Sequence, residues 1–208
     1  MAEDVYLTAE ARARVEIDRQ LAACGWAVQD RSAMNLYAGQ GVAVREFIMA
    51  KGHGRADYLL FIDQKAVGAI EAQPSGTPLA GVEPQSAKYS TGLPKDLPAL
   101  ASPLPFLYES TGDETMFTDG FDPDPRSRQV YTFHRPEALA RWLRKWREDA
   151  EGGSLRSRLS RLDDVSANGL RVIQVSAIGK LEASMKANRP RALAQMATAD
   201  ERSRSSSH

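Results

Sequence analysis

Ala56-Asp57-Tyr58-Leu59-Leu60-Phe61-Ile62-Asp63 is followed, after Gln64 and Lys65, by Ala66-Val67-Gly68-Ala69-Ile70-Glu71-Ala72-Gln73. Each run is apolar and strand-like, and Asp63-Gln64-Lys65 between them is a short polar turn, so the pair predicts a β-hairpin. A turn centred on Gln64 sets Asp57 opposite Glu71. Directly opposed residues have Cβ atoms roughly 5 Å apart, where like charges destabilise the pairing. A divalent cation between the two carboxylates is the simplest reason for such an arrangement. Period-2 geometry puts Gln73 on the same face as Glu71, so two ligand candidates and one amide converge.

A chain of 208 residues is long enough for one core-bearing domain plus an appendage. Its 42% hydrophobic and 26% charged residues are ordinary for a globular protein. Lys and Arg together number 27, as do Asp and Glu, which excludes the chain as a whole as a polycationic nucleic-acid binder. Any such contact must rest on local patches. The one cysteine, Cys24, excludes an intramolecular disulfide framework and reads as a small buried hydrophobe in a reducing cytoplasm. No segment approaches the ~20 apolar residues of a membrane span, and the acidic start Met1-Ala2-Glu3-Asp4 is no signal peptide, so a cytoplasmic location is expected.

Working outward, a helix is predicted from an N-cap at Thr8 to Cys24, stopped by Gly25, with Ala13, Ile17, Leu21 and Cys24 as its apolar seam. A strand follows over Val42–Met49. Lys51-Gly52-His53-Gly54-Arg55 is then a basic loop whose glycines allow close approach to a phosphate backbone, a simple surface loop being the competing reading. Pro84 opens a predicted helix over Glu83–Tyr89, and Pro94, Pro98, Pro103 and Pro105 mark a long loop or crossover. Phe106–Glu109, Glu114–Phe117 and Gln129–His134 read as short strands. Pro136 starts an amphipathic helix with Leu139, Trp142, Leu143 and Trp146 on one face and Arg141, Arg144, Lys145 and Arg147 opposite, a solvated face. The expected class is α/β: a mixed sheet flanked by helices over residues 1–150, followed by a short helical extension.

The order Asp57…Glu71-Ala72-Gln73 resembles the signature of the PD-(D/E)xK nucleases, with Gln73 at the lysine position. Paired acids on strands are common, and a solvated hairpin edge is the competing reading of that pattern alone. Gln85-Ser86-Ala87-Lys88-Tyr89 adds a Q-x-x-x-Y element, whose ends share one helix face. More broadly, residues from about Ala11 to Leu143 resemble the N-terminal endonuclease domain of the R subunit of type I restriction enzymes. The stretches that carry it are Ala11–Asp18, Val44–Phe47, Ala56–Phe61, Gly81–Tyr89, Phe106–Gly112 and Phe133–Pro136.

That resemblance implies a restriction-endonuclease-like fold that hydrolyses phosphodiester bonds in double-stranded DNA with Mg²⁺. Asp57, Glu71 and the carbonyl of Ala72 would hold the metal, and Gln85 and Tyr89 would orient the site or contact DNA. His53, Arg55 and Lys88 are further DNA-facing candidates, Lys88 having a solvated helix lysine as its alternative. Glu16 is a candidate for the same metal cluster, with an ordinary surface glutamate as the alternative. The implied partners are DNA and the methyltransferase and specificity subunits of a type I complex, with no membrane. Gln73 departs from the pattern: an amide cannot act as a general base at neutral pH or supply positive charge to the transition state. A catalytically inactive DNA-binding or subunit-docking remnant is therefore the alternative function.

Glu151-Gly152-Gly153-Ser154 reads as a linker. Residues 151–198 read as linker and helical lead-in, with Leu170 to Met196 resembling the lead-in to the R subunit's helicase motor: a helix over Leu170–Asn188 and a strand starting at Arg191. In the family a P-loop comes next; here Ala199-Asp200-Glu201-Arg202-Ser203 follows Thr198, so ATP binding by that route is not expected of this chain. The resemblance thus reads as truncated before the P-loop. Leu170–His208 is expected to be poorly packed, and the Ser-rich tail 199–208 disordered.

Overall fold

A computed structural model describes residues 8–79, 91–122, 125–148, 155–164, 166, 168–187 and 189. It divides into two compact units, 1–154 and 155–208. The first is an α/β unit built on one seven-stranded mixed sheet with strand order β1 to β7. Its elements are α1 (Ala9–Ala23), β1 (Ala27–Asp30), β2 (Gly41–Ile48), β3 (Arg55–Ile62), β4 (Lys65–Ala72), β5 (Phe106–Ser110), β6 (Thr115–Asp119), β7 (Arg128–Val130) and α2 (Pro136–Glu148). Neighbouring strands are antiparallel except β1/β2 and β4/β5.

The helix α1 starts and stops where its local chemistry dictates. Thr8 Oγ1 accepts the backbone N–H of Ala11, and Gly25 leaves the helix at φ 90°. Ala13, Ile17 and Leu21 are buried, and full burial of each large side chain is worth about 1.5–3 kcal/mol. Ile17 and Leu21 join Tyr58, Leu60, Ile62, Ile70, Tyr108 and the α2 residues Leu139 and Leu143 in one core. On the opposite face Val44, Phe47, Leu59, Phe61 and Ala69 form a second core, roofed by Leu93, Leu97, Ala99 and Leu104 of the proline-rich crossover. That crossover is pinned to the start of β4, where Ala66 N–H donates to Pro98 O and Leu100 N–H to Ala66 O.

The hairpin departs from the expected turn but keeps the expected register. Ile62 pairs with Lys65, so the turn is only Asp63-Gln64, both in the left-handed region at φ 47° and 63°. That suits the tight primed turns that match strand twist. A bulge between Leu60 and Phe61 then shifts the ladder by one, restoring Leu60↔Gly68 and Tyr58↔Ile70. The two differences cancel before Asp57 is reached.

One strand is unexpected and two expectations change. The strand β1, parallel to β2, has only four residues and no alternating pattern to announce it. The strand expected over Gln129–His134 is confined to Arg128–Val130; Tyr131 is fully exposed, while Phe133 enters the core. In α2 the buried stripe is Leu139, Ala140 and Leu143, whereas Trp142 stays 38% exposed and Trp146 stacks on Phe121 at 4.2 Å. The second unit contains α3 (Leu155–Ser160) and α4 (Val172–Lys186), and α4 buries no residue. Residues 149–154, the expected strand at Arg191 and the tail 199–208 lie outside the described residues.

Gly68 pairs with Phe106, and a Cβ there would lie 2.2 Å from the Phe106 carbonyl oxygen. Gly68→Ala must force β4 and β5 apart, so denaturant unfolding should show a loss of at least about 1–3 kcal/mol. His134, half-buried between Phe117 and Trp142, has Nδ1 2.7 Å from the Tyr108 hydroxyl. Burial first, then Arg128, lowers its pKa below the usual 6.5. The folded state thus binds fewer protons than the unfolded chain: stability is complete above about pH 6.5 and falls as pH drops through the lowered value. Melting curves between pH 7 and 5 should show that decline, and His134→Asn should flatten it.

Candidate functional site

Asp57 sits at the start of β3, where the strand's alternation is broken. Tyr58, Leu60 and Ile62 belong to the core under α1 and Leu59 and Phe61 to the other core, yet Ala56 also belongs to the latter. The facing strand is irregular at the same level. Glu46, between the paired Arg45↔Tyr58 and Phe47↔Ala56, has φ 49°, a left-handed conformation unusual for glutamate. Asp57 and Tyr58 consequently both reach α1. Tyr58 donates its hydroxyl to Asp18 at 2.8 Å, and Asp18 also accepts from Arg45 Nε at 3.1 Å.

The Asp57 carboxylate, 12% exposed, is engaged at both oxygens. Oδ2 accepts the backbone N–H of Ala72 at 2.8 Å, tying β3 to the end of β4. Oδ1 accepts from Arg14 Nη2 of α1 at 2.5 Å. The same guanidinium bonds Glu10 at 2.8 Å and Glu46 at 3.2 Å, so one arginine bridges three carboxylates from three elements. Burial works against its charge, but Asp57, then Glu10 and Glu46, outweigh it and raise the Arg14 pKa. Arg55 Nη1 approaches Glu46 at 3.4 Å on the outer side.

Carried one step past Tyr58↔Ile70, the hairpin register sets Asp57 opposite Glu71. The alternation of β4 gives Glu71 the face of Ala69, away from Ile70 and Ala72. On its other side Glu71 pairs with Glu109 of β5, which is buried. Gln73 donates its backbone N–H to Ser110 O at 2.8 Å. Glu16 lies elsewhere on α1, bonded to Arg19 Nε at 2.9 Å and Gln20 Nε2 at 2.8 Å. Those bonds hold its pKa down at about 2. Its side chain packs over Gly112, in the loop leaving β5. Gln85, Lys88 and Tyr89 lie outside the described residues.

Asp57 and Glu71 are both carboxylates, the donor type a hard divalent cation takes, but Asp57 turns to Arg14 of α1 whereas Glu71 takes the face of Ala69. Among the described residues no group of three or more His, Cys, Asp or Glu is placed to hold a metal. A cation arriving at Asp57 would also meet the guanidinium of Arg14. A divalent and a single positive charge about 4 Å apart repel by roughly 8 kcal/mol at an effective dielectric constant near 20. The two cations therefore do not share Asp57 without a large penalty.

Arg14 and Arg45 were not singled out by the sequence reading. Glu10-x-x-x-Arg14 is a visible i, i+4 pair, but nothing local shows that Arg14 reaches a residue 43 positions away. Around Asp57 opens a groove of about 1100 Å³. Four arginines line it (Arg14, Arg31, Arg45 and Arg55), with four carboxylates (Asp30, Glu46, Asp57 and Asp96). Its charge is balanced. Lys51 is exposed, and His53 is half-buried against Gly92.

Among the described residues no helix is long and apolar enough to cross a membrane. A search of curated proteins finds no match. A solved fragment described as a "putative HsdR subunit of a type I restriction enzyme from Vibrio vulnificus YJ016" is 20% identical at a TM-score of 0.48, covering 92% of this chain and 35% of that one. The present chain thus spans about a third of that chain's length. Residues 31–103 match the family model of the type I restriction enzyme EcoKI endonuclease subunit second domain. That stretch holds β2, β3 and β4 with Asp57, Glu71 and Gln73, so the likeness to that subunit's second domain covers the hairpin.

Proposed function

We propose that this chain is the endonuclease domain of a type I restriction R subunit, which hydrolyses phosphodiester bonds in double-stranded DNA with Mg²⁺ held by Asp57 and Glu71. The observation that carries the reading is the family match over residues 31–103, which frames both carboxylates within one hairpin. A bound Mg²⁺ would act as a Lewis acid on the phosphate and lower the pKa of its water. The chain's own residues supply the rest. Asp57 is held in place by the Ala72 N–H, and the Gln73 amide can hydrogen-bond a water or a phosphate oxygen without taking its proton. Arg55 and Arg31 offer phosphate contacts at the groove. Because the groove's carboxylates balance its arginines, DNA affinity of the isolated chain should be weak and salt-sensitive. Methyltransferase and specificity subunits are the proposed partners in the assembled enzyme.

The second reading, a catalytically inactive DNA-binding or docking remnant, is favoured by Gln73 at the lysine position and by Arg14 on Asp57. Nicking of supercoiled DNA with Mg²⁺ separates the two. The first reading expects slow cutting by the parent chain that Asp57→Ala and Glu71→Ala each abolish. Restoring a positioned positive charge with Gln73→Lys should accelerate it by about 10²-fold or more. A parent inert beside an active Gln73→Lys would establish the remnant reading. Cutting that survives Asp57→Ala would rule out this hairpin as the catalytic centre.

A further inference from the structure

We propose that Arg14 is a resident cation at Asp57, and that its guanidinium and a divalent metal ion hold this carboxylate in turn, never together. The inference rests on the reading that Asp57 is a metal ligand, and it deepens that site by naming what the metal must displace. Three observations carry it. Arg14 Nη2 lies 2.5 Å from Asp57 Oδ1 while Ala72 N–H holds Oδ2, so the side of the carboxylate left by the backbone is the one the arginine covers. Arg14 is fixed from behind, because α1 is anchored to the sheet by Ala13, Ile17 and Leu21. Its Nε is buried without a hydrogen-bond partner, leaving the Nη atoms as the end that carries the ion pairs.

The arrangement also contains the route by which Arg14 leaves. Glu10, one turn earlier on the same helix, and Glu46 on β2 both bond the guanidinium and are both more exposed than Asp57. Glu10 and Glu46 remain as partners for a guanidinium that leaves Asp57. Glu46 is set for this by its left-handed backbone, which lies at the level of Asp57 in the β2–β3 ladder. Release of Arg14 therefore exchanges one carboxylate for two that remain, while a divalent ion takes over the negative charge of Asp57. Metal affinity is accordingly set by Arg14 as well as by the ligands themselves.

The test is Mn²⁺ binding to the purified full chain, followed by loss of the free-ion EPR signal. Arg14→Gln should bind Mn²⁺ at least tenfold more tightly than the parent, and Arg14→Lys, which keeps the charge, should stay near the parent. Adding Asp57→Asn to Arg14→Gln should remove the site. If parent and Arg14→Gln bind equally well at an Asp57-dependent site, Arg14 does not compete and the inference fails while the metal reading stands. If Arg14→Gln binds no Mn²⁺ at all, the metal reading itself fails and takes the inference with it. A measurement on the unaltered chain guards against a misfolded variant. Under saturating Mg²⁺ the NMR signal of the buried Arg14 Nε–H should shift and exchange faster, and an unchanged signal in the metal-bound protein would overturn the proposal.

Discussion

The carboxylate of Asp57 is the junction on which the architecture around the candidate site depends. Through one oxygen it holds the end of β4, through the other it holds α1, and its arginine partner reaches on to β2. Hydrogen bonds to a charged group contribute about 1.5–3 kcal/mol each when desolvated, and Asp57 is the most enclosed member of the network. The outer pairs from Arg14 to Glu10 and Glu46 are half-exposed and worth at most about 1 kcal/mol apiece. The energetic weight therefore lies on Asp57, and the outer acids serve to place the guanidinium. The same residue that the proposed chemistry needs for a metal is used by the fold to hold a helix against a sheet.

Most of the frame was legible in the sequence because it rests on strong local signals. Thr8 and Gly25 bound α1, Pro136 opens α2, and the two apolar runs around Asp63-Gln64 form the hairpin. The hairpin register at Tyr58↔Ile70 came out as expected although the turn did not: a two-residue turn and a bulge at Leu60/Phe61 offset one another. Neither feature has a sequence marker, since Asp63 and Gln64 adopt positive φ without a glycine. The short strand β1 was invisible because four residues are too few for a period to show.

The site was less legible than the fold. Spacing along a strand gives the partner across the hairpin, but not which side chain from a distant helix will sit over it. Arg14 lies within a stretch that resembles the R subunit, yet its contact with Asp57 depends on the seat of α1 and on the break in alternation at Ala56 and Asp57. Glu16 illustrates the converse: a nearby acid on the same helix turns to Arg19, Gln20 and the loop at Gly112. The departure at Gln73 and the cation at Asp57 act in the same direction. Under the proposed nuclease reading, both leave the site short of the charge distribution that fast phosphodiester cleavage requires.

A double-mutant cycle between Arg14 and Asp57, measured by denaturant unfolding with and without Mg²⁺, tests the central claim most directly. Arg14→Gln, Asp57→Asn and the double variant should give a coupling of about 1 kcal/mol or more in metal-free buffer, within the range for contacting residues. Saturating Mg²⁺ should reduce that coupling toward zero or reverse its sign, because the ion replaces the guanidinium at the carboxylate. A coupling that is the same in both buffers, in a protein that demonstrably binds Mg²⁺, would contradict the account.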